Sequence, residues 1–310
     1  MAMLRRMPAG LRGGAMALLL CLLALPALAG QRPAERIVAL DWGLAETLLA
    51  LGVTPIGIPE TDAYRHWVVE PALPPSVIDV GLRVEPNLEL LRQMAPDLIL
   101  IISEQEELRP MLERIAPTLT LSTYTPEGKP YEAAVEATRA LARAIGREAE
   151  GEALLARAEA GFAQARAALR DRRERRLYVV TFLDARHVRI FGARSLPQDV
   201  LDRIGLRNAW DGATNEWGFT TAGVEHLAAA PDARLVAIEP VPEGTGRALA
   251  NSPLWSNLPF VRAGAVHRIP PTLVFGMVPS AERFARMFAT LPPDPGDAHG
   301  RNRHDWDSHD

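Results

Sequence analysis

Between residues 36 and 123, short apolar runs alternate with stretches whose apolar positions recur at helical spacing. Arg36–Leu40 (RIVAL), Pro55–Ile58 (PIGI), Val77–Gly81 (VIDVG), Asp97–Ile102 (DLILII) and Thr118–Thr123 (TLTLST) read as buried strands. Leu44–Leu51, Asn87–Gln93 and Met111–Ile115 read as the helices between them, with Gly52 as a C-cap of the first. Pro59–Ser76 is polar, aromatic and broken by prolines, which predicts a loop. From Pro130 to Arg176 the strand pattern disappears and Ala, Glu and Arg dominate. Ala149–Glu174 predicts one helix of about 26 residues, roughly 39 Å long. The alternation then resumes. Arg176–Leu183, His187–Gly192, Ala233–Pro240 and Gly264–Pro270 read as strands, and Pro197–Gly205, Gly223–Ala230, Pro253–Val261 and Ser280–Thr290 as helices. The expected fold is α/β: two α/β lobes with mostly parallel sheets, joined by one long helix, with a ligand cleft between the lobes.

The ends of the chain follow a different pattern. Arg5, Arg6 and Arg12 precede an apolar run from Ala15 to Leu25 and a small-residue site at Ala27–Ala29, the layout of a Sec-type signal peptide cleaved near Ala29. The surroundings of Arg5-Arg6 fit a twin-arginine signal poorly, and Leu20 before Cys21 fits a lipoprotein site poorly. The polar C-terminus, with His299, His304 and His309, predicts a disordered tail; metal binding is its alternative role. The domain reading is therefore a signal peptide (1–29), an N-terminal lobe (30–130), a helical connector (131–176), a C-terminal lobe (177–292) and a tail (293–310).

Charge and composition narrow the function. The 310-residue chain carries a net charge of −4, and losing residues 1–29 removes three arginines and no acid, which makes it −7. That balance argues against a nucleic-acid partner. The single cysteine, Cys21, lies in the leader, so disulfides, thiolate metal sites and cysteine nucleophiles are not expected. G-x-S-x-G, P-loop and H-E-x-x-H motifs are absent. EGTGRAL (Glu243–Leu249) is a weak glycine signal that reads as a turn, and His187, His226 and His267 stand alone. This is not the inventory of an enzyme. It points to a bacterial periplasmic protein, with an exported enzyme on a two-lobed scaffold as the alternative of another class.

What remains is cationic and aromatic. Arg83 stands where a strand ends and a helix is about to begin, between Gly81 and Pro86. It is either a ligand-facing cation or half of a structural ion pair with Glu85 or another acid. Trp42, Tyr64, Trp67, Trp217, Phe275 and Arg189 also fall at element ends or loops, where a ligand pocket would draw on them.

Three motifs carry a resemblance: R-x-W-V-x-E-P at Arg65–Pro71, G-L-R-x-E-P-N at Gly81–Asn87, and N-x-W-G at Asn215–Gly218. With the surrounding sequence, over roughly residues 35–290, the chain resembles periplasmic ferric-hydroxamate siderophore-binding proteins. The resemblance implies a two-lobed receptor with a rigid connecting helix that delivers a ferric siderophore to an inner-membrane ABC importer. It is expected to act as a monomer, without cofactor or protein metal ligands, because the siderophore itself holds the iron. A receptor for cobalamin or haem is the alternative within the same architecture. The resemblance puts the ligand arginine on Arg83 and cleft aromatics on Trp67 and Trp217, with Trp42, Tyr64, Phe191 and Phe275 as further walls. Permease docking would fall to Glu106 or Glu107 on the first lobe and Glu243 on the second. Three positions depart from the pattern. Gln105 stands near an expected tyrosine, Leu273 near an expected tryptophan, and Arg189 where an apolar side chain is expected. The added cation suggests a more anionic ligand, such as a citrate-based or mixed carboxylate–hydroxamate siderophore.

Overall fold

Ile37–Ala39, Gly57–Ile58, Ile78–Asp79, Leu98–Ile101 and Thr118–Thr120 form strands β1 to β5 of a first sheet in the computed structural model, which describes residues 34–124, 126–170 and 176–292. The spatial order is β3-β2-β1-β4-β5 and every pairing is parallel. All five carboxyl ends therefore open on one edge. The loops that leave that edge carry Trp42, Glu60, Arg83, Gln105 and Tyr124. Helix α1 (Trp42–Ala50) begins there, N-capped by Asp41, which accepts from the backbone N–H groups of Gly43 at 2.7 Å and Leu44 at 3.2 Å.

The Pro59–Ser76 stretch is more ordered than expected, because its prolines all lie outside Thr61–Trp67, which forms helix α2. Glu60 enters that helix with φ of 52°, in the left-handed region. Helix α3 (Leu88–Met94) is capped by the Asn87 side chain, and α4 (Arg109–Leu112) follows a 3₁₀ turn at Ser103–Leu108. Two long helices come next, α5 (Pro130–Ala144) and α6 (Glu148–Ala168). The 21 residues of α6 span about 31 Å. They are fewer than expected, and the expected end at Asp171–Glu174 lies outside the described residues. Gly151 lets α6 approach α5 closely: a Cβ there would stand 2.7 Å from that of Ala142.

The second sheet combines β6 (Arg176–Phe182), β7 (His187–Phe191), β8 (Arg207–Asn208), β9 (Phe219–Gly223), β10 (Arg234–Ile238) and β11 (Val266–Ile269). Its order is β11-β10-β6-β7-β9, with β8 also on β6. Its pairings are mostly parallel, as expected (β10 with β6 and β11, β8 with β6), but β7 runs antiparallel to both β6 and β9. The chain decides this locally, because only residues 183–186 separate β6 from β7, enough for a hairpin and too few for a crossover. Strand β9 was not expected. The helix expected at Gly223–Ala230 is a 3₁₀ turn at Val224–Ala229, and the expected EGTGRAL turn is helix α8 (Thr245–Ala250), after α7 (Leu196–Ile204). Pro253–Val261 splits into α9 (Pro253–Ser256) and α10 (Pro259–Arg262), since Pro259 starts a new turn. The chain's last described helix is α11 (Val278–Ala289).

One hydrophobic core runs from β1 and α1 through α5, α6, α7 and α11 to β6 and β10. Polar contacts reinforce it. Glu46 of α1 is fully buried and accepts from Met277 N–H at 2.6 Å and Ser280 Oγ at 2.6 Å, at the start of α11. Burial pushes its carboxyl up to about 8, against hydrogen bonds that favour the ionised form. Arg283 donates to Val68 O at 2.6 Å, and Arg286 pairs with Glu70 at 2.7 Å. The two sheets are thus held by packed helices as well as by the connecting chain.

Candidate functional site

The carboxyl edge of the first sheet supplies one wall of a cavity of about 280 Å³. Arg83 lies just beyond β3, in a turn closed by a bridge between Gly81 and Pro86. Its Nε donates to Glu60 Oε2 at 2.7 Å, and its guanidinium carbon lies 4.0 Å from the Trp42 ring centroid. Trp42 is fixed in turn by its Nε1–H, which donates to Pro59 O at 3.0 Å. The partner acid is thus Glu60 rather than Glu85. Among the described residues only Nε is engaged, so the two Nη groups keep their donors for another acceptor. A structural ion pair and a ligand contact are compatible in one guanidinium.

Gln105 supports this wall from behind. It is buried, donates to Leu40 O and Arg83 O at 2.8 Å each, and accepts from Ile102 N–H at 3.1 Å. It therefore ties the Arg83 backbone to the ends of β1 and β4. The expected tyrosine position is occupied by a strut, not by a ligand-facing phenol.

The opposite wall comes from the second sheet and the loop after β11. Thr181, Phe182, Arg189, Phe191, Leu273 and Phe275 all line the cavity. Thr181 and Arg189 are cross-strand neighbours. The Arg189 guanidinium lies 5.0 Å from the Phe219 ring centroid, and its Nε is buried without a hydrogen-bond partner. Glu239 lines this wall too, paired with Arg268 at 2.8 Å.

The cavity thus unites Arg83, Trp42, Trp67, Arg189, Phe191 and Phe275. Trp67 is 43% exposed, whereas Phe191 is buried. Trp217 does not line the cavity. It adjoins it through Phe275, 6.1 Å away, and Tyr124, 5.2 Å away. Tyr64 does not line it either: it is fully buried, edge-on to Trp42 at 6.4 Å, with its hydroxyl donating to Pro71 O at 3.1 Å. It braces Trp42. Glu106 and Glu107 are exposed on the turn after β4, and Glu243 is exposed before α8. Hydrogen bonds from Arg109 and Thr120 hold Glu106 down to about 2, so it is ionised throughout the physiological range.

Tyr124 and Phe219 were missed from sequence. Tyr124 donates to Val274 O at 3.2 Å and packs on Phe275 at 5.7 Å, and burial pushes its hydroxyl up. Its position directly after β5, at the carboxyl edge, was the available signal. Phe219 had none, because β9 itself went unrecognised. A second hollow of about 410 Å³ shares Arg83 with the first and is lined by Asp41, Glu60, Leu82, Val84, Glu104 and Gln105 as well. A depression of about 310 Å³ between α6 and α7 gathers none of the expected site residues. Among the described residues, no three His, Cys, Asp or Glu side chains are grouped to hold a metal ion, and no helix is long and apolar enough to cross a membrane.

The model of the periplasmic binding protein family matches residues 37–273, the stretch that builds both walls. The chain belongs to that family. Among periplasmic binding proteins, the iron(3+)-hydroxamate-binding protein FhuD of Escherichia coli (strain K12) is 39% identical over 253 residues, covering 82% of this chain and 85% of that protein. The Fe(3+)-citrate-binding protein YfmC of Bacillus subtilis (strain 168) is 25% identical over 241 residues, covering 75% and 72%. Among solved structures, the siderophore-binding protein FhuD from Vibrio cholerae with bound Fe³⁺–Desferal superposes with a TM-score of 0.78 at 31% identity, covering 82% of this chain and 96% of that one. The family's fold is thus the fold described above.

Proposed function

We propose that this periplasmic binding protein captures a ferric siderophore of the hydroxamate or mixed carboxylate–hydroxamate class and delivers it to an ABC importer in the inner membrane. The observation that carries the reading is Arg83. Glu60 and Trp42 hold its guanidinium at the cavity with both Nη groups unpaired, facing an aromatic wall. Hydroxamate oxygens bound to iron keep residual negative charge, and two parallel N–H donors in one plane suit such a pair of oxygens. Tryptophan and phenylalanine faces cover the apolar linkers and exclude water from the contact, which strengthens it. The relatives named for iron(3+)-hydroxamate and Fe(3+)-citrate binding support the substrate class.

The chain performs no chemistry on its cargo in this reading and needs no cofactor. The siderophore fills the iron's coordination sphere, so the protein recognises the chelate and contributes no metal ligand. We place the mature chain in the periplasm as a monomer, exported by residues 1–29. Glu106, Glu107 and Glu243 are the candidate contacts to the permease, where exposed carboxylates would meet basic side chains.

Tryptophan fluorescence titrated with ferric hydroxamates, ferric citrate, haem and cobalamin tests the reading. Trp42 and Trp67 line the cavity and Trp217 adjoins it, so a ferric hydroxamate should quench saturably at one equivalent. Saturation by haem or cobalamin alone, or by none of them, overturns it.

A further inference from the structure

The charges around the cavity do not balance. Arg83 is paired with Glu60 and Glu239 with Arg268, each within 2.8 Å. Arg189 lines the same cavity and, among the described residues, has no carboxylate within ion-pair distance. Its Nε is buried and unpartnered, and its guanidinium lies 5.0 Å from the Phe219 ring centroid. A half-buried cation without a counter-ion is costly, and it projects from the middle of β7, where an apolar residue would pack against Phe219 at no such cost. Thr181, its cross-strand neighbour, adds a hydroxyl to the same wall.

We propose that Arg189 is a second anion-recognition point, one that reads a carboxylate carried by the siderophore outside its iron-binding oxygens. This rests on the ferric-siderophore reading above and narrows it to chelates with one free anionic substituent. A single uncompensated guanidinium matches one carboxylate, and its planar donors suit a two-oxygen acceptor. Glu239 on the same wall opposes a ligand with several such groups. Arg83 and Arg189 then divide the work: the first meets the oxygens around iron, the second the pendant group.

Three ferric chelates with one iron–hydroxamate core test this: ferric desferrioxamine B with its pendant ammonium, its neutral N-acetyl derivative and its anionic N-succinyl derivative. Isothermal titration of the wild-type protein should give the tightest binding for the succinyl form, about tenfold above the acetyl form, as for one added ion pair in a desolvated site. Arg189→Leu should bring the succinyl-to-acetyl ratio close to one. Arg189→Gln, which preserves polarity, should give the same collapse. Equal wild-type binding of the succinyl and acetyl forms, or a ratio that survives both substitutions, overturns the assignment and leaves the siderophore reading standing. Failure of all three chelates to bind overturns both.

Discussion

The two cations of the cavity are held in opposite ways. Arg83 leaves the open edge of a fully parallel sheet, and three neighbours hold it: Glu60 on Nε, Trp42 under its plane and Gln105 on its carbonyl. Arg189 rises from the middle of an antiparallel strand with an aromatic face beside it and, among the described residues, no acid within ion-pair distance. A side chain already fixed in place loses little freedom when a ligand arrives, so Arg83 has the character of a preorganised anchor. An unpaired one instead discriminates by charge. In the proposed reading, the parallel half of the protein supplies the general grip and the mixed half the means to vary what is gripped.

Removing the anchor should have the largest effect. Arg83→Ala is expected to weaken ferric-hydroxamate binding by about thirtyfold or more, since truncating one partner of a desolvated charged contact costs roughly 2–5 kcal/mol. The melting temperature should drop only a few degrees, because the half-buried, still solvent-accessible pair with Glu60 contributes about 1 kcal/mol. A large loss of melting temperature with unchanged affinity would reassign Arg83 to scaffold. Next comes Trp217→Ala, which removes aromatic contacts with Tyr124 and Phe275 worth about 0.5–1.5 kcal/mol each. Affinity should fall about tenfold at most, measured by the same titration, because Trp217 acts on the ligand through Phe275.

The contact between the halves can be tested by pH. Glu46 has an ordinary value of 4.5 and is raised to about 8 in the folded protein. The folded state therefore holds a proton that the unfolded chain releases, and stability falls as pH rises from about 4.5 to about 8. Glu46→Gln copies the protonated carboxyl: its oxygen can accept from Met277 N–H and its amide can donate to Ser280 Oγ. Melting curves of this variant should lack the decline across that window. A parallel decline in both proteins would show that Glu46 does not titrate there. The smallest effect belongs to Tyr64→Phe. It should cost about 0.5–1.5 kcal/mol of stability through the lost bond to Pro71, with siderophore affinity unchanged.

The same two halves differ in how legible they were. In the first, short apolar runs bounded by Gly and Pro placed every strand, and Arg83 stood out because a strand end had no structural need of a cation. In the second, the β7–β9 pairing rests on long-range register, and Phe219-Thr220-Thr221 lacks the strong apolar pattern that would reveal it. The identity of the Arg83 partner was equally hidden, since Glu60 is brought in across β2 and β3 by parallel pairing, 23 residues away. Tyr64 was misread as a cavity wall because burial behind Trp42 depends on helix α2, which forms inside a proline-rich stretch. Chemistry at element ends could be read from the chain; which side chain stands in front of which could not.

The central claim is that the cavity recognises an assembled chelate and supplies no ligand to the metal. Calorimetric titration of the wild-type protein with one hydroxamate chelator in its ferric, gallium(III) and metal-free forms, alongside a ferric salt, tests this most directly. Iron and gallium complexes have the same shape and outer oxygens, so the account predicts equal affinities for the two and one complex per chain. The metal-free chelator should bind far more weakly, and the ferric salt not at all. Tight binding of the ferric salt alone, or of the ferric complex but not its gallium counterpart, would contradict it.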